Sequence, residues 1–539
     1  MFSNWYVTAL LVVAQASIIH CQNSQASVTI ANGTIVGSHD STNKIDKFLG
    51  IPYAEPPVGN LRLRQAVPLQ QSFGTIQATA FGESCYGSRN PTNSSEDCLT
   101  LNIWRPSSIS QNETLPVLVW IYGGGFTNGY TADPRFEGTD LVRISSEIQK
   151  PVILLSLNYR LGPFGFLNGL EMSDLGLLNI GLLDQRLALH WIQENIAAFG
   201  GDPTKVTLAG ESAGAVSIYS HMMAYGGRND SLFRGGILES GGAFPLTLPN
   251  TTAFQSTFDS LITNTTCVQF AASSSEEKLD CIRQLPVEEF RSKVGSSTGQ
   301  SIDGDFTRTS LRFALPDGSY LGVPTIVGTN TDEGTTSAPT NINTTDQLFE
   351  PLADGYFRPQ RLPNDVVSTL LSLYPTDPAL GCPYNTGDVQ LSSGKLDKMA
   401  CSIFGDLVQI GPARFIAQTL AQHGHPVYRY RFNQLPANAT DVAEGITTGL
   451  EQSYVFSNLL PDNAWDRALA YRMSAAWASF AHGLDPNWSN DGSFPAWPQY
   501  ASQNQSMVFN GYGSSIEEDT YRGSQIEYII STVLPDGAA

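Results

Sequence analysis

Short apolar runs recur along the chain and give its clearest signal of secondary structure. Most of them lack the alternation of a half-buried strand, as expected for strands that are buried on both faces of a central sheet. The runs cover residues 117–122, 152–159, 206–210, 236–240, 325–330 and 427–432. Between them, residues 182–199 carry apolar side chains at three- and four-residue spacing, which predicts an amphipathic helix. Strands that alternate with helices predict an α/β fold with a mainly parallel sheet.

The domain organisation follows from length and composition. No linker, repeat or change in composition interrupts the chain after about residue 28, which favours one large domain over several. Hydrophobic residues make up 41% of the 539 residues and charged residues only 15%, enough apolar surface for a large core. A net charge of -20 repels phosphate backbones and anionic lipid surfaces. We therefore expect neither a nucleic-acid partner nor a stable membrane anchor.

The amino terminus predicts export. An apolar run over residues 7–14 is followed by small residues and is too short to span a bilayer, which is typical of a signal peptide. We assign residues 1–21 to the signal, with an approximate cleavage site, and residues 22–539 to one mature domain. Ten Asn-x-Ser/Thr sequons fit a glycosylated protein, and the carboxyl terminus carries neither a lipid-anchor nor a retention signal. We expect the protein to be secreted and extracellular.

The cysteines that follow the signal fall into pairs that are close in sequence. The pairs are Cys85 with Cys98, Cys267 with Cys281, and Cys382 with Cys401. An even set in an exported chain predicts disulfides, although this pairing rests on short separation alone. The spacing typical of a cysteine metal site is absent, and we expect neither a metal nor an organic cofactor.

A candidate nucleophile lies on a tight turn. Residues 210–214 read Gly-Glu-Ser-Ala-Gly, with Ser212 at the centre of a Gly-x-Ser-x-Gly motif. The apolar run at 206–210 precedes the motif and a helical pattern at 215–221 follows it, which is the context of a nucleophile elbow. The two glycines permit a turn so sharp that the Ser212 hydroxyl is lifted into a cleft.

A second glycine-rich segment, Gly-Gly-Gly-Phe at residues 123–126, follows the apolar run at 117–122. Backbone amides at such glycines can face the negative oxygen of a tetrahedral intermediate. We expect Gly124, Gly125 and Ala213, the residue after the nucleophile, to form a three-donor oxyanion hole. A phosphate loop is the alternative, but Gly-Lys-Ser/Thr is absent. The aromatic side chains in and before this segment fit either an apolar pocket or core packing.

These motifs are part of a set that spans almost the whole mature chain. The set contains Phe-Gly-Gly-Asp-Pro at 199–203 leading into 210–214, Glu-Asp-Cys-Leu-Thr-Leu-Asn at 96–102, Asn-Tyr-Arg-Leu-Gly at 158–162 and Asn-Ile-Gly-Leu-Leu-Asp-Gln-Arg at 179–186. Through them the chain resembles the type-B carboxylesterase/lipase family, which includes cholinesterases and secreted fungal lipases. The resemblance implies an α/β-hydrolase fold, with a central mostly parallel sheet, flanking helices and lid or cap insertions in a single large domain. It also implies hydrolysis of carboxylic esters.

The resemblance also supports two of the cysteine pairs. It implies a disulfide between Cys85 and Cys98, around a loop that acts as a lid in the family's lipases, and a second one between Cys267 and Cys281.

The acid of the family's catalytic triad lies in a segment that matches Gly-Thr-Asn-Thr-Asp-Glu-Gly at residues 328–334. The resemblance makes Glu333 the triad acid and leaves Asp332 as the competing carboxylate. Ser240 matches a serine that supports the acid. Glu211 matches an acidic position near the pocket floor, with the bridging of a buried water as its alternative role.

The triad histidine has no counterpart. The family places it just before Gly-x-Glu and a Tyr-Val-Phe segment, where this chain has Thr448. A threonine hydroxyl cannot act as a general base near neutral pH. The other histidines lie in the signal, in an amino-terminal loop, in helical patterns or at the wrong end of a strand, so we expect none of them to complete the triad.

Three functions remain open. The first is a secreted carboxylesterase or lipase-like hydrolase that forms an acyl-enzyme on Ser212 but is weakened by loss of the histidine, with Glu333 acting through a water. The second is a non-hydrolytic enzyme, such as a dehydratase or cyclase acting on a metabolite in the same pocket. The third is an inactive cholinesterase-like binding protein, which the intact nucleophile and oxyanion glycines disfavour. In each case the expected partner is a small-molecule ester or another apolar metabolite.

Overall fold

The computed structural model describes residues 25–89, 91–109, 113–241, 248–249, 251–294, 299–354, 361–389, 393–439, 444–458, 463–489 and 494–534. The predicted signal peptide at residues 1–21 lies outside the described residues.

The strands are short, and most are apolar. In chain order they are β1 (Ser27–Ile30), β2 (Gly33–Val36), β3 (Ser38–Asp40), β4 (Ile45–Pro52), β5 (Gly74–Gln77), β6 (Ser84–Cys85), β7 (Ser94–Ser95), β8 (Thr100–Pro106), β9 (Leu115–Ile121), β10 (Ile153–Leu157), β11 (Gly201–Glu211), β12 (Gly235–Glu239), β13 (Thr325–Asn330), β14 (Val427–Phe432), β15 (Gln505–Phe509) and β16 (Ser515–Glu518).

Within the described residues, eleven strands form one central sheet in the order β16-β15-β14-β13-β12-β11-β9-β10-β8-β4-β3. The pairs from β15 through β14, β13, β12, β11 and β9 to β10 are all parallel, and only the pairs toward the two edges are antiparallel. Every residue of β9, β10, β12 and β13 is buried. The mostly parallel sheet predicted from the apolar runs is confirmed.

The helices lie between the strands in sequence. They are α1 (Thr139–Glu147), α2 (Gly162–Phe166), α3 (Leu170–Asp174), α4 (Ile180–Asn195), α5 (Ala213–Gly227), α6 (Gln255–Thr263), α7 (Ser275–Gln284), α8 (Val287–Lys293), α9 (Leu311–Asp317), α10 (Asp346–Ala353), α11 (Asn364–Leu373), α12 (Asp397–Gly405), α13 (Gly411–Gln422), α14 (Gln452–Val455), α15 (Ala464–Gly483) and α16 (Gly523–Tyr528).

Helices pack against the sheet in its central region. Helix α5 contacts β11 and β12, α15 contacts β9 and β11, and α13 contacts β13 and β14. The helix predicted over residues 182–199 is observed as α4, which continues into a 3₁₀ turn at Ile196–Phe199. In the described part of the chain, no helix has both the length and the apolar character needed to cross a bilayer.

Two of the three predicted cysteine pairs are bonded. Disulfides join Cys85 to Cys98 and Cys267 to Cys281. The third prediction is wrong in the structure, because Cys382 and Cys401 are buried free thiols. The two thiols touch, and the Cys382 thiol also donates to Asp332 at 3.7 Å. Burial, and after it the hydrogen bond with Cys401, raises the pKa of Cys382 well above its usual range. A raised pKa disfavours the thiolate that disulfide formation requires.

Candidate active site

Ser212 lies on a strained turn between β11 and α5. Its backbone has φ 52° and ψ -120°, a conformation that is costly for a residue with a side chain. The turn packs directly on β9, since a Cβ atom at Gly214 would lie 2.0 Å from the carbonyl oxygen of Ile121. The Ser212 amide donates to the Glu239 carbonyl at 2.8 Å, which ties the turn to β12. The sequence therefore folds Ser212 into the nucleophile elbow that the motif predicts.

The glycine loop after β9 lies against this elbow. A Cβ atom at Gly123 would be 2.9 Å from Cβ of Ser212, so the loop and the serine are in contact. Gly124 and Gly125 have φ values of 100° and 63°, which favour glycine. Within the described residues their amides donate no hydrogen bond, and Ala213 is the first residue of α5. These three amides are therefore available as donors beside the nucleophile.

The loop closed by the Cys85–Cys98 disulfide contacts the same segment. Its Ser88 hydroxyl donates to Asn128 Oδ1 at 2.7 Å, and the Ser88 amide donates to the Thr127 carbonyl at 2.8 Å. Asn128 follows the oxyanion glycines and its amide donates to the Gly124 carbonyl at 3.0 Å. This disulfide loop is therefore attached to the wall of the site.

The aromatic residues near the glycine loop belong to the core. Trp120 packs edge-on against Phe456, and Tyr122 stacks on Tyr159 with ring centroids 4.7 Å apart. Trp120, Tyr122 and Phe126 are all buried. Of the two roles left open by the sequence, the structure gives them core packing.

Glu333 follows β13 and is completely buried. Its Oε1 accepts from the Ser240 hydroxyl and from the Asn330 amide, both at 2.7 Å. Its Oε2 accepts a hydrogen bond from the Thr448 hydroxyl. Burial raises the pKa of Glu333 above its ordinary value although these donors oppose the shift. Ser240 thus contacts the acid, as the resemblance implies.

The neighbouring carboxylate, Asp332, points elsewhere. It accepts from the Tyr384 amide at 2.9 Å and from the Ile446 amide at 2.8 Å. These bonds connect two loops, one of which leads to Thr448. Asp332 is therefore placed to hold the loop, and Glu333 is the carboxylate that faces Thr448.

Thr448 hydrogen-bonds Glu333, which is the contact expected of the triad histidine in the family that the chain resembles. Gln409 donates to the Thr448 oxygen from its Nε2 at 3.4 Å, while Thr448 donates to Glu333. Gln409 belongs to a π-helical turn at Asp406–Ile410, between α12 and α13, and its Oε1 is buried without a partner. Irregular turns of this kind are common at functional sites.

The described histidines lie away from these groups. His221 contacts Gln185 at 3.1 Å inside the core, and burial holds its pKa well below the usual value. His423 contacts Tyr320, and His39 contacts Asp46. Across the described ranges, no histidine bonds to Glu333, and the Ser212 hydroxyl makes no hydrogen bond. The described site therefore brings Ser212, the glycine-loop amides and Glu333 together without an imidazole.

Four buried glutamates surround the site: Glu211, Glu239, Glu333 and Glu451. Glu211 lies close to the glycine loop, since a Cβ atom at Gly123 would be 2.5 Å from its Oε2, and it hydrogen-bonds Gln452. Glu239 accepts from Trp477 at 2.7 Å. Burial raises the pKa of both carboxyls well above the ordinary value, and Glu451, when it is ionised, raises it further. The described residues contain no group arranged to hold a metal ion.

Sequence reasoning missed the roles of Glu239, Glu451, Asn330 and Gln409. Asn330 Nδ2 donates to Glu451 at 2.6 Å and to the Thr447 carbonyl at 2.6 Å. A signal existed for Glu451, which stands three residues after Thr448 and is the glutamate of the Gly-x-Glu segment that matches the family. The π-helical turn that brings Gln409 to Thr448 leaves no such signal in the residue pattern.

Comparison with known proteins identifies the relatives of this chain. The model of the carboxylesterase family matches residues 24–528. The secreted lipase 1 of Botryotinia fuckeliana is 35% identical, over 94% of this chain and 93% of the relative. A secreted triacylglycerol lipase of Gibberella zeae is 33% identical, over 96% and 92%. The crystal structure of Aspergillus niger EstA matches with a TM-score of 0.82 at 25% identity, covering 96% of this chain and 100% of that one.

Proposed function

The chain belongs to the carboxylesterase family and is a carboxylic ester hydrolase-like enzyme. From this we propose that it is a secreted hydrolase that forms an acyl-enzyme on Ser212 and turns over slowly. The observation that carries the proposal is the Thr448 hydroxyl, which donates to Glu333 where the family has an imidazole. The nucleophile and the oxyanion donors are retained, but the efficient base is lost. Export is supported by the pattern of residues 1–21 and by the names of the secreted relatives.

The first chemical step is attack by Ser212 Oγ on the ester carbonyl carbon. The amides of Gly124, Gly125 and Ala213 stabilise the oxyanion that forms. The serine proton passes through a solvent water to Thr448, which passes its own proton to Glu333. The raised pKa of Glu333 makes it a stronger base than an exposed carboxylate.

The second step returns these protons. As the tetrahedral intermediate collapses, the bond to the leaving oxygen breaks and the proton travels back along the same path to that oxygen. Water then attacks the acyl-Ser212 carbonyl by the same relay and releases the carboxylic acid. A relay through two hydroxyl groups is slower than an imidazole, because its intermediates are weak bases.

The test is the formation of acyl-Ser212. Purified protein is mixed with p-nitrophenyl butyrate, and its intact mass is followed together with nitrophenol release. We expect a butyryl adduct that Ser212→Ala abolishes and that Thr448→Val slows about tenfold, because valine keeps the shape but cannot relay a proton.

The proposal fails if no adduct forms, or if Ser212→Ala leaves it intact. Absence of any adduct in a folded protein would favour the alternatives: a non-hydrolytic enzyme such as a dehydratase or cyclase, or a binding protein for an apolar metabolite.

A further inference from the structure

Two glutamates of the site share their partners. Ser240 Oγ lies 2.7 Å from Glu333 Oε1 and 3.4 Å from Glu451 Oε1. Asn330 donates its backbone amide to Glu333 at 2.7 Å and its side-chain amide to Glu451 at 2.6 Å. Both carboxyls are fully buried. Two separate residues therefore hold the same two carboxyl groups together.

No positively charged side chain in the described part of the chain pairs with these two carboxyl groups. The ionisable groups that face the pair are acidic or phenolic, namely Glu211 on β11, Glu239 on β12, Asp332 after β13 and Tyr430 on β14. Arg135 acts on Glu211 instead, through its charge. Two neighbouring carboxylates in a buried site without a cation cannot both ionise cheaply.

We propose that Glu333 and Glu451 form one carboxyl pair that holds a single proton near neutral pH, with the proton on Glu451 and the charge on Glu333. This inference rests on the proposed function, in which Glu333 receives the serine proton. Glu451 is then a positioning residue, since it acts through Glu333 and does not touch the substrate.

The hydrogen bonds decide which carboxyl carries the charge. Glu333 accepts from the Ser240 hydroxyl and the Asn330 amide at 2.7 Å and from the Thr448 hydroxyl, whereas Glu451 accepts from the Asn330 side chain at 2.6 Å, from its own backbone amide, and from Ser240 only at 3.4 Å. The two close hydroxyl donors stabilise the charged form of Glu333. In agreement, burial and then the charge of Glu333 raise the pKa of Glu451 to about 7.

A neutral amide at position 451 should therefore imitate the protonated glutamate. We expect Glu451→Gln to lose far less kcat at about pH 6 than Glu333→Gln, which loses at least about a hundredfold. Wild type should show a second rise of kcat near neutral pH, when the pair loses its last proton and Glu333 becomes a stronger base. Glu451→Gln should lack that second rise.

Glu239→Gln is the matched control: it is equally buried but contacts neither Ser240 nor Asn330, and should keep the second rise.

Infrared spectroscopy measures the protonation state of each carboxyl group and does not require turnover. The difference spectrum between wild type and Glu451→Gln at about pH 6 should contain a protonated carboxyl band, and the spectrum against Glu333→Gln a carboxylate band. The inference is overturned if Glu451 gives a carboxylate band at that pH, or if Glu451→Gln costs as much activity as Glu333→Gln. If acyl-Ser212 never forms, the proposed function fails, but the infrared result still decides the state of the pair.

Ser240→Ala keeps the test decisive if Glu451→Gln does not fold. Loss of the hydroxyl removes a donor from charged Glu333, so the acidic limb of the kcat profile should move up by about half a pH unit or more. An unmoved acidic limb would overturn the shared-proton account.

Discussion

The Thr448 hydroxyl and the Glu333 carboxylate are joined by a hydrogen bond in which the threonine is the donor. In a Ser-His-acid triad, the imidazole donates one proton to the acid and takes another from serine. Thr448 reproduces the first of these contacts, but its oxygen is too weak a base to take the serine proton by itself. The site thus keeps Glu333 oriented by a hydroxyl donor and lacks the imidazole that would transfer the serine proton efficiently.

A slow proton relay to the leaving oxygen should make the rate depend strongly on the leaving group. Phenolate leaves without a proton, whereas an alkoxide needs one. We expect kcat/KM of wild type to fall steeply across butyrate esters as the pKa of the leaving alcohol rises. The slope of that series is the measurement, with the same esters hydrolysed by Thr448→His as the control. Equal slopes for the two proteins would mean that another group protonates the leaving oxygen.

The oxyanion hole should be sensitive to one methyl group. At Gly124, φ is 100° and an added Cβ would lie 2.5 Å from the Asn128 carbonyl oxygen, so Gly124→Ala must displace the loop. We expect acylation of Ser212 to slow by about a hundredfold or more, as for loss of one oxyanion donor. Gly176→Ala is the control, because Gly176 has φ 65° with no atom near its added Cβ. Similar losses in both variants would trace the effect to general instability.

The fold and the strained turn at Ser212 could be predicted from the sequence, because they depend on local patterns. Strand β13 was predicted with its observed bounds, and Ser212 from five adjacent residues. The network around Glu333 could not be predicted, since it joins Ser240 after β12, Asn330 at the end of β13 and Thr448 after β14, whose packing no single pattern records. For Cys382 and Cys401 the prediction was wrong, because it rested only on their short separation in sequence. The structure contains buried protonated thiols at these two positions.

The buried acids should make stability fall as pH rises. Glu451 has a folded-state pKa of about 7, above its ordinary 4.5, so the folded state binds more protons than the unfolded state between these values. The free energy of unfolding should decrease from about pH 4.5 to about pH 7, with Glu451 contributing at most about 3 kcal/mol. Urea denaturation at several pH values measures this.

Glu451→Gln should flatten that decrease, because glutamine does not titrate. Glu518→Gln, at an exposed position of β16, is the matched control and should leave the profile unchanged. A decrease that is equally steep in Glu451→Gln would exclude Glu451 as its source.

Asp332 should stabilise the loop that leads to Thr448 and should take no part in catalysis. Its two oxygens accept from the Tyr384 and Ile446 amides, which fixes the segment leading to Thr448. Asp332→Ala leaves both part-buried amide donors unpaired and should cost about 2 kcal/mol of unfolding free energy. Asp332→Asn keeps one acceptor and should cost less. If Asp332→Ala instead stays fully stable but abolishes acylation, Asp332 and not Glu333 is the catalytic acid.

In the mechanism proposed above, only the missing histidine separates this site from that of an efficient esterase. The most direct test of this claim is the rate of p-nitrophenyl butyrate hydrolysis by wild type beside Thr448→His, with Thr448→Asn as a non-basic control. We expect slow, Ser212-dependent turnover in wild type and Thr448→Asn, and a gain of about a hundredfold or more in Thr448→His. A wild type that already matches the histidine variant would contradict the account, because a base would then exist elsewhere.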